Sequence, residues 1–140
     1  MTDAHERNLA LAHALLARMS AGDFAGLAGL VTEDFVFDVP YVTDEAARPP
    51  HGRDAVIGYF NGVMKSLFAA LELTPDEAYP GRDPDVLCLE YHSRGVLAAN
   101  GAPYRNRYLG VFRFRSGRVA LWREFFNPEE LTRALAGPAR

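Results

Sequence analysis

Glu124 is the residue of this sequence whose surroundings best suit acid/base chemistry. It lies in a run of apolar and aromatic residues, between Trp122 and Phe126. If that run is a strand, alternation places Ala120, Trp122, Glu124 and Phe126 on one face, and Val119, Leu121, Arg123 and Phe125 on the other. A carboxyl among aromatic side chains resists ionisation, so its pKa rises and it can act as a general acid or base near neutral pH. The structural alternative is that Glu124 pairs with a basic side chain such as Arg105 and anchors the sheet.

Asp38 is the second acidic candidate, because it interrupts the apolar run at 35–40. It either faces the interior, as a second acid/base or orienting group, or lies on the solvent side of a strand end, where polar residues are common. The segment that follows suits a surface loop or the rim of a cavity, and it supplies three candidate substrate contacts: Tyr41, His51 and Arg53. His51 could equally be a solvated loop residue.

A later strand offers hydrogen-bonding groups in an aromatic setting. Alternation places one set of residues on a single face: Tyr104, Asn106, Tyr108, Phe112 and Phe114. Such a face suits a small-molecule pocket, although each member could equally be an ordinary core residue. Asn106 and Tyr108 are therefore predicted substrate contacts, together with Trp122. The opposite face carries a basic stripe, which is usually solvated or paired across a dimer interface: Arg105, Arg107, Arg113 and Arg115.

The elements that must position these residues begin with helices. Apolar residues at helical spacing predict a first helix over 3–21. A second, shorter helix is expected over 24–31. A third follows over about 53–71, since its apolar residues keep the rhythm of a helix that lies on a sheet. Between the last two, a β-branched and aromatic run at 35–39 predicts a strand, which Pro40 stops because it lacks an N–H donor.

The rest of the chain is predicted to be sheet. Four runs rich in Val, Leu, Phe and Tyr are separated by turn sequences at 80–85, 100–101 and 116–117. They form an antiparallel meander, and a short C-terminal helix begins at Pro128. Helices followed by a meander indicate an α+β fold rather than a parallel βαβ arrangement.

Composition and charge argue against several classes of protein. A chain that is 49% hydrophobic is expected to form one domain over residues 1–140. The formal net charge of -3 argues against a nucleic-acid partner. The single Cys88 excludes an intramolecular disulfide or a multi-cysteine zinc site and favours a reducing compartment.

Signals for targeting and for cofactors are also missing from the sequence. Neither a signal peptide nor an apolar run of the roughly 18 residues that a membrane helix needs is visible, so a cytoplasmic protein without a membrane partner is expected. The sequence contains no Walker loop and no GxGxxG, HExxH or GxSxG motif. Neither a metal nor a cofactor is therefore expected.

Two stretches carry a family resemblance: AGDFAGLAGLVTEDFVFDVP at 21–40 and NRYLGVFRFRSGRVALWREFFNP at 106–128. With the order of elements, they resemble the SnoaL-like group of the nuclear-transport-factor-2-like superfamily, and especially the phenazine-biosynthesis A/B proteins. The resemblance implies a cone-shaped, curved and mostly antiparallel sheet that encloses a pocket with three helices from the N-terminal half. It also implies a homodimer.

The same resemblance implies roles for individual residues. In the phenazine A/B family a glutamate in the matching Arg-Glu-Phe segment handles a proton, and that position is Glu124. Similarity to ketosteroid isomerase places its catalytic aspartate at or beside Asp38. The two oxyanion donors of that enzyme fall near Leu15 and Gly110, so they do not carry over.

The resulting hypothesis is a cofactor-independent acid/base enzyme that acts on a small apolar or polycyclic metabolite. Glu124 would transfer the proton, with Asp38 as a second acid/base, in an isomerisation, cyclisation, condensation or dehydration. The alternative is a non-catalytic small-molecule-binding or dimer-forming module, since a fold does not by itself assign a function.

Overall fold

The computed structural model describes residues 2–137, so Met1 and residues 138–140 of the predicted domain lie outside the described part. The first helix, α1, spans Asp3–Ala21 and ends where Gly22 adopts the left-handed conformation, with φ 67°. Its buried face packs mainly on one strand of the sheet and carries the residues Ala12, Leu15, Leu16 and Met19. No helix among residues 2–137 is long and apolar enough to cross a membrane.

The sheet has five strands in the order β1-β5-β4-β3-β2. Their bounds are β1 Val31–Asp38, β2 Phe68–Pro80, β3 Val86–Leu97, β4 Pro103–Arg115 and β5 Arg118–Phe126. Strands β2 to β5 form the predicted antiparallel meander, whereas β1 pairs in parallel with β5. The prediction of an α+β fold with a mostly antiparallel sheet is confirmed. Within residues 2–137 the sheet stays open, with β1 and β2 as its edge strands.

The second predicted helix, over 24–31, is wrong in type and length. The structure has a short 3-10 helix over Ala25–Gly29, and Val31 already begins β1. Two glycines within the segment lower its helix propensity. The β-branched pair Val31 and Thr32 then favours a strand.

The third predicted helix begins where expected but ends four residues early. Helix α2 covers Arg53–Tyr59, a π-helical turn follows over Phe60–Met64, and the short α3 covers Lys65–Leu67. Phe68 already begins β2, because its backbone pairs with Leu97 of β3. The spacing of apolar residues in the sequence does not by itself predict that pairing. π-Helical turns that interrupt an α-helix in this way often lie at functional sites.

The last strand contains a bulge that the sequence pattern did not show. Arg113 pairs with Leu121 and Phe114 pairs with Val119, so Ala120 is an extra residue. Val119 consequently turns into the core, where it is fully buried, although simple alternation places it on the face opposite Trp122. After β5, the predicted short C-terminal helix is present as α4, Pro128–Ala136, which Asn127 caps.

Candidate functional site

A cavity of about 280 Å³ lies between the inner face of the sheet and the helices. Aliphatic and aromatic side chains form most of its wall, among them Phe60 and Met64 of the π-helical turn and Leu131 of α4. The lining side chains that carry a polar group are Tyr59, Tyr104, Tyr108, Trp122 and Glu124. The volume lies just below the range of about 300–1,000 Å³ typical of small-molecule sites. Among the described residues that line the cavity, Glu124 is the one carboxyl.

Glu124 lies on β5 and turns towards the cavity because it shares the inner face with Trp122. It is 8% exposed, and within residues 2–137 it forms no ion pair. The proposed pairing with Arg105 is therefore absent, since Arg105 is exposed on the other face of the sheet. Burial raises the pKa of Glu124 to about 7, although a hydrogen bond from Tyr91 lowers it in part.

Tyr91 of β3 donates a hydrogen bond to one oxygen of that carboxyl. Its hydroxyl donates to Oε1 of Glu124 at 2.6 Å and accepts a hydrogen bond from Nε1 of Trp122 at 2.9 Å. The Tyr91 ring is 1% exposed and stacks on Tyr108, with centroids 5.0 Å apart. This chain of hydrogen bonds orients Glu124 and leaves its Oε2 as the oxygen available to a ligand.

Gly110 makes that arrangement possible. It lies on β4 between Leu89 of β3 and Glu124 of β5. A Cβ atom at this position would lie 2.9 Å from Cε1 of Tyr91 and 2.7 Å from Cε2 of Phe112. Tyr91 can therefore cross over β4 and reach the carboxyl of β5 because this residue has no side chain.

Two tyrosine hydroxyls form a second polar group at the cavity. The Tyr108 hydroxyl donates to Oγ of Ser93 at 2.8 Å. The Tyr104 hydroxyl accepts from Nδ2 of Asn106 at 2.8 Å, and the same amide group donates to the backbone carbonyl of Asn127 at 2.9 Å. Burial raises the pKa of both Tyr104 and Tyr108, so each keeps its proton. Tyr108 already donates its proton to Ser93, whereas Tyr104 remains a potential hydrogen-bond donor to a ligand.

The structure brings three of the predicted site residues together at the cavity: Glu124, Tyr108 and Trp122. Asn106, another predicted contact, is buried behind Tyr104 and supports it rather than lining the cavity. It belongs to the site through the tyrosine that it holds.

Asp38 is not brought to the cavity. Phe37 and Val39 face inwards, so the side chain between them faces outwards. There Oδ2 of Asp38 accepts a hydrogen bond from Nε of Arg123 at 2.8 Å, and both side chains are 40% exposed. A position on the solvent side of the strand, one of the two alternatives for Asp38, is the one observed.

The three loop candidates also lie away from the cavity. Tyr41 is 60% exposed and packs edge-on against Phe125 of the outer face. His51 is exposed and forms an isolated backbone bridge to Val36. Arg53 pairs with the neighbouring Asp54, with Nε and Oδ1 at 3.0 Å. The segment from 41 to 53 reaches the cavity through Val42 and Ala47 instead.

Tyr91 is the important residue that the sequence reasoning missed. The buried members of β3 alternate as Leu87, Leu89, Tyr91 and Ser93, which is a pattern visible in the sequence. It would have placed the Tyr91 hydroxyl on the inner face, but not beside Glu124. That contact depends on strand order and on Gly110. Among the described residues, there is no group of three or more His, Cys, Asp or Glu arranged to hold a metal ion.

Comparisons with known proteins agree with this architecture. Residues 12–122 match the sequence model of the SnoaL-like domain. An uncharacterised PhzA/B-like protein of Pseudomonas aeruginosa is 28% identical over 122 residues, which are 87% of this chain and 85% of that protein.

Solved structures show the same fold. A Bacillus subtilis protein provisionally called an isomerase superimposes with a TM-score of 0.84 at 24% identity, over 98% of both chains. A Jannaschia protein provisionally called a SnoaL-like polyketide cyclase gives a TM-score of 0.81 at 15% identity, over 99% of this chain and 98% of the other. At these identities the likeness shows the fold alone.

Proposed function

This chain belongs to the SnoaL-like domain family, and we propose that it is a cofactor-independent acid/base enzyme that acts on a small, largely apolar metabolite. The observation that carries the proposal is Glu124, a buried carboxyl that has no cationic partner within residues 2–137 and lies in a largely apolar cavity. Its pKa of about 7 means that acid and base forms coexist at neutral pH, which suits a group that both removes and returns a proton.

The arrangement favours a proton shuttle by a single carboxyl. Oε2 of ionised Glu124 would take a proton from a carbon acid of the ligand, and the protonated carboxyl would return it at another atom. Tyr104, whose hydroxyl accepts a hydrogen bond from Asn106, would donate one to an oxygen of the ligand as charge develops there. Because Asp38 lies outside the cavity, an isomerisation or a cyclisation with one shuttling group is better supported than a reaction that needs two carboxyls.

The wall of the cavity also narrows the kind of ligand. None of the described lining residues is a lysine, an arginine or a histidine. An anionic ligand would therefore enter without a partner charge, which is costly in an apolar site. The small volume favours a ligand of one or two rings over a larger polycyclic one.

Hydrogen–deuterium exchange tests the proposal even while the natural substrate is unidentified. Small cyclic ketones are incubated with the protein in D₂O, and exchange at their acidic C–H positions is followed by NMR. The wild type is expected to accelerate exchange in at least one ketone. Glu124→Gln is expected to retain binding of that ketone and to lose the acceleration. Glu33→Gln, an exposed carboxyl of β1, is the matched control and should behave as wild type.

The rival function is a non-catalytic small-molecule-binding module. It is favoured by one observation: Oε1 of Glu124 and the Tyr108 hydroxyl already have partners within the protein. This alternative is supported if the wild type binds a ligand without accelerating hydrogen–deuterium exchange and Glu124→Gln binds the same ligand equally well.

We also propose that the protein forms a homodimer. Its proposed location is a reducing compartment, the cytoplasm. The outer face of β4 and β5 keeps apolar side chains in contact with solvent, including Leu109 at 38% exposure and the partly exposed Val111 and Leu121. A second copy would cover them. Light scattering after size-exclusion chromatography should show a dimer that Val111→Asp dissociates; a wild-type monomer would refute the proposal.

A further inference from the structure

A groove of about 660 Å³ lies over β3 and β4 on the outer sheet face, beside the apolar residues just described. Three exposed arginines line it, Arg94 of β3 and Arg105 and Arg107 of β4, together with His92. Ser93 and Asn106, which bind the hydroxyls of Tyr108 and Tyr104, also border the groove, but the acid/base function does not use the arginines or His92.

The strand register concentrates positive charge in this groove. Arg94 lies directly opposite Arg105, and Arg107 lies two residues from Arg105 on the same face of β4. Side chains paired in this way have Cβ atoms about 4.5–5.5 Å apart, and like charges placed opposite each other destabilise a sheet. The arrangement therefore has a cost that a bound anion would remove.

The two carboxylates that line the groove are not paired with its arginines. Asp76 lines the groove but pairs with Nδ1 of His92 at 2.8 Å, and Glu130 pairs with Arg133 at 2.9 Å. Within residues 2–137, none of the three groove arginines forms an ion pair. The groove thus keeps a local excess of positive charge, three arginines against two carboxylates, on a chain whose formal net charge is -3.

We propose that this groove binds the phosphoryl or pyrophosphoryl group of a small molecule. Guanidinium groups form paired, charge-assisted hydrogen bonds with phosphate oxygens, and several of them can share one such group because it offers several acceptors. The concave shape suits a small ligand better than the flat face of a second protein. Asp76 of β2, which is paired with His92, borders one side of the groove. Its negative charge would repel an anion that extended along β2.

Calorimetric titration with inorganic pyrophosphate at low ionic strength tests the site. The wild type is expected to show one saturable site per chain, with an affinity that falls as salt is added. Arg105→Gln and Arg107→Gln should each weaken binding about tenfold or more, since each removes a charge-assisted contact. Arg113→Gln is the matched control: it removes an exposed arginine from the same strand and face, outside the groove.

Three results would overturn the proposal. One is the absence of saturable binding to the wild type. Another is an equal loss in Arg113→Gln, which would indicate attraction by overall charge alone. The third is a wild-type dimer that binds no pyrophosphate and that Arg105→Gln dissociates, because the arginines would then serve an interface between copies. The exchange assay with ketones is independent of all three, so this inference and the proposed function fail separately.

Discussion

Replacing Tyr91 with phenylalanine should raise the pKa of Glu124. The substitution removes the hydroxyl that donates to Oε1 at 2.6 Å and keeps the ring that stacks on Tyr108. A hydrogen bond to a charged group contributes about 1.5–3 kcal/mol, and one to a neutral group about 0.5–1.5 kcal/mol. The ionised carboxyl therefore loses about 1–1.5 kcal/mol more than the protonated one, which corresponds to about one pKa unit.

The assay is a ¹³C NMR titration of the side-chain carboxyl carbon in glutamate-labelled protein, with Glu124→Gln used to assign the signal. In the wild type we expect a midpoint of about 7, and in Tyr91→Phe a midpoint roughly one unit higher. For the proposed reaction, which begins with ionised Glu124, the acidic limb of the pH profile should move to higher pH by a similar amount, since Tyr91 positions the carboxyl without touching the ligand.

Tyr79→Phe is the matched control. Tyr79 also donates a hydrogen bond to a glutamate, Glu90, but this pair is exposed to solvent. Its removal should leave the Glu124 midpoint unchanged. A Glu124 midpoint in Tyr91→Phe that equals or falls below the wild-type value would refute the hydrogen-bond account. Chemical denaturation checks the fold, because Nε1 of Trp122 loses its acceptor and the loss of stability should be about 1–3 kcal/mol.

Three further predictions concern the site and its surroundings. Glu124 binds its proton more tightly in the folded state, with a pKa of about 7 against 4.5, so the free energy of unfolding should fall as pH rises from 4.5 to 7. The fall should be about 3 kcal/mol relative to Glu124→Gln in urea titrations, and parallel curves for the two proteins would contradict it. Gly110→Ala should cost about 1–3 kcal/mol of stability and raise the Glu124 pKa, because the added methyl group displaces Tyr91; an unchanged carboxyl titration would exclude that contact. Asp38→Asn should cost at most about 1 kcal/mol, since its pair with Arg123 is 40% exposed, and a loss of ketone exchange in this variant would show that the carboxyl has a role the geometry does not indicate.

Local sequence patterns were sufficient to predict much of the fold and part of the candidate site. Helix α1, the three turns of the meander and the start of α4 follow from residue spacing and turn chemistry, which act within a few positions of the chain. The inward direction of Glu124 follows in the same way, because its neighbours at two-residue spacing are aromatic. The misplaced elements lie where short-range pattern conflicts with pairing, as at Phe68, which continues a helical rhythm but bonds to β3.

By itself, then, the sequence determined the α+β class, the antiparallel meander and a carboxyl among aromatic side chains. Only the tertiary structure decided that Asp38 faces Arg123 outside the cavity, and that Tyr91 reaches Glu124 across β4. Those contacts join residues 85 and 33 positions apart, and they depend on strand order, on register and on the missing side chain at Gly110. Side-chain alternation states which face of a strand a residue occupies. It does not state which residues of other strands meet it there, and that is set by the packing of the whole sheet.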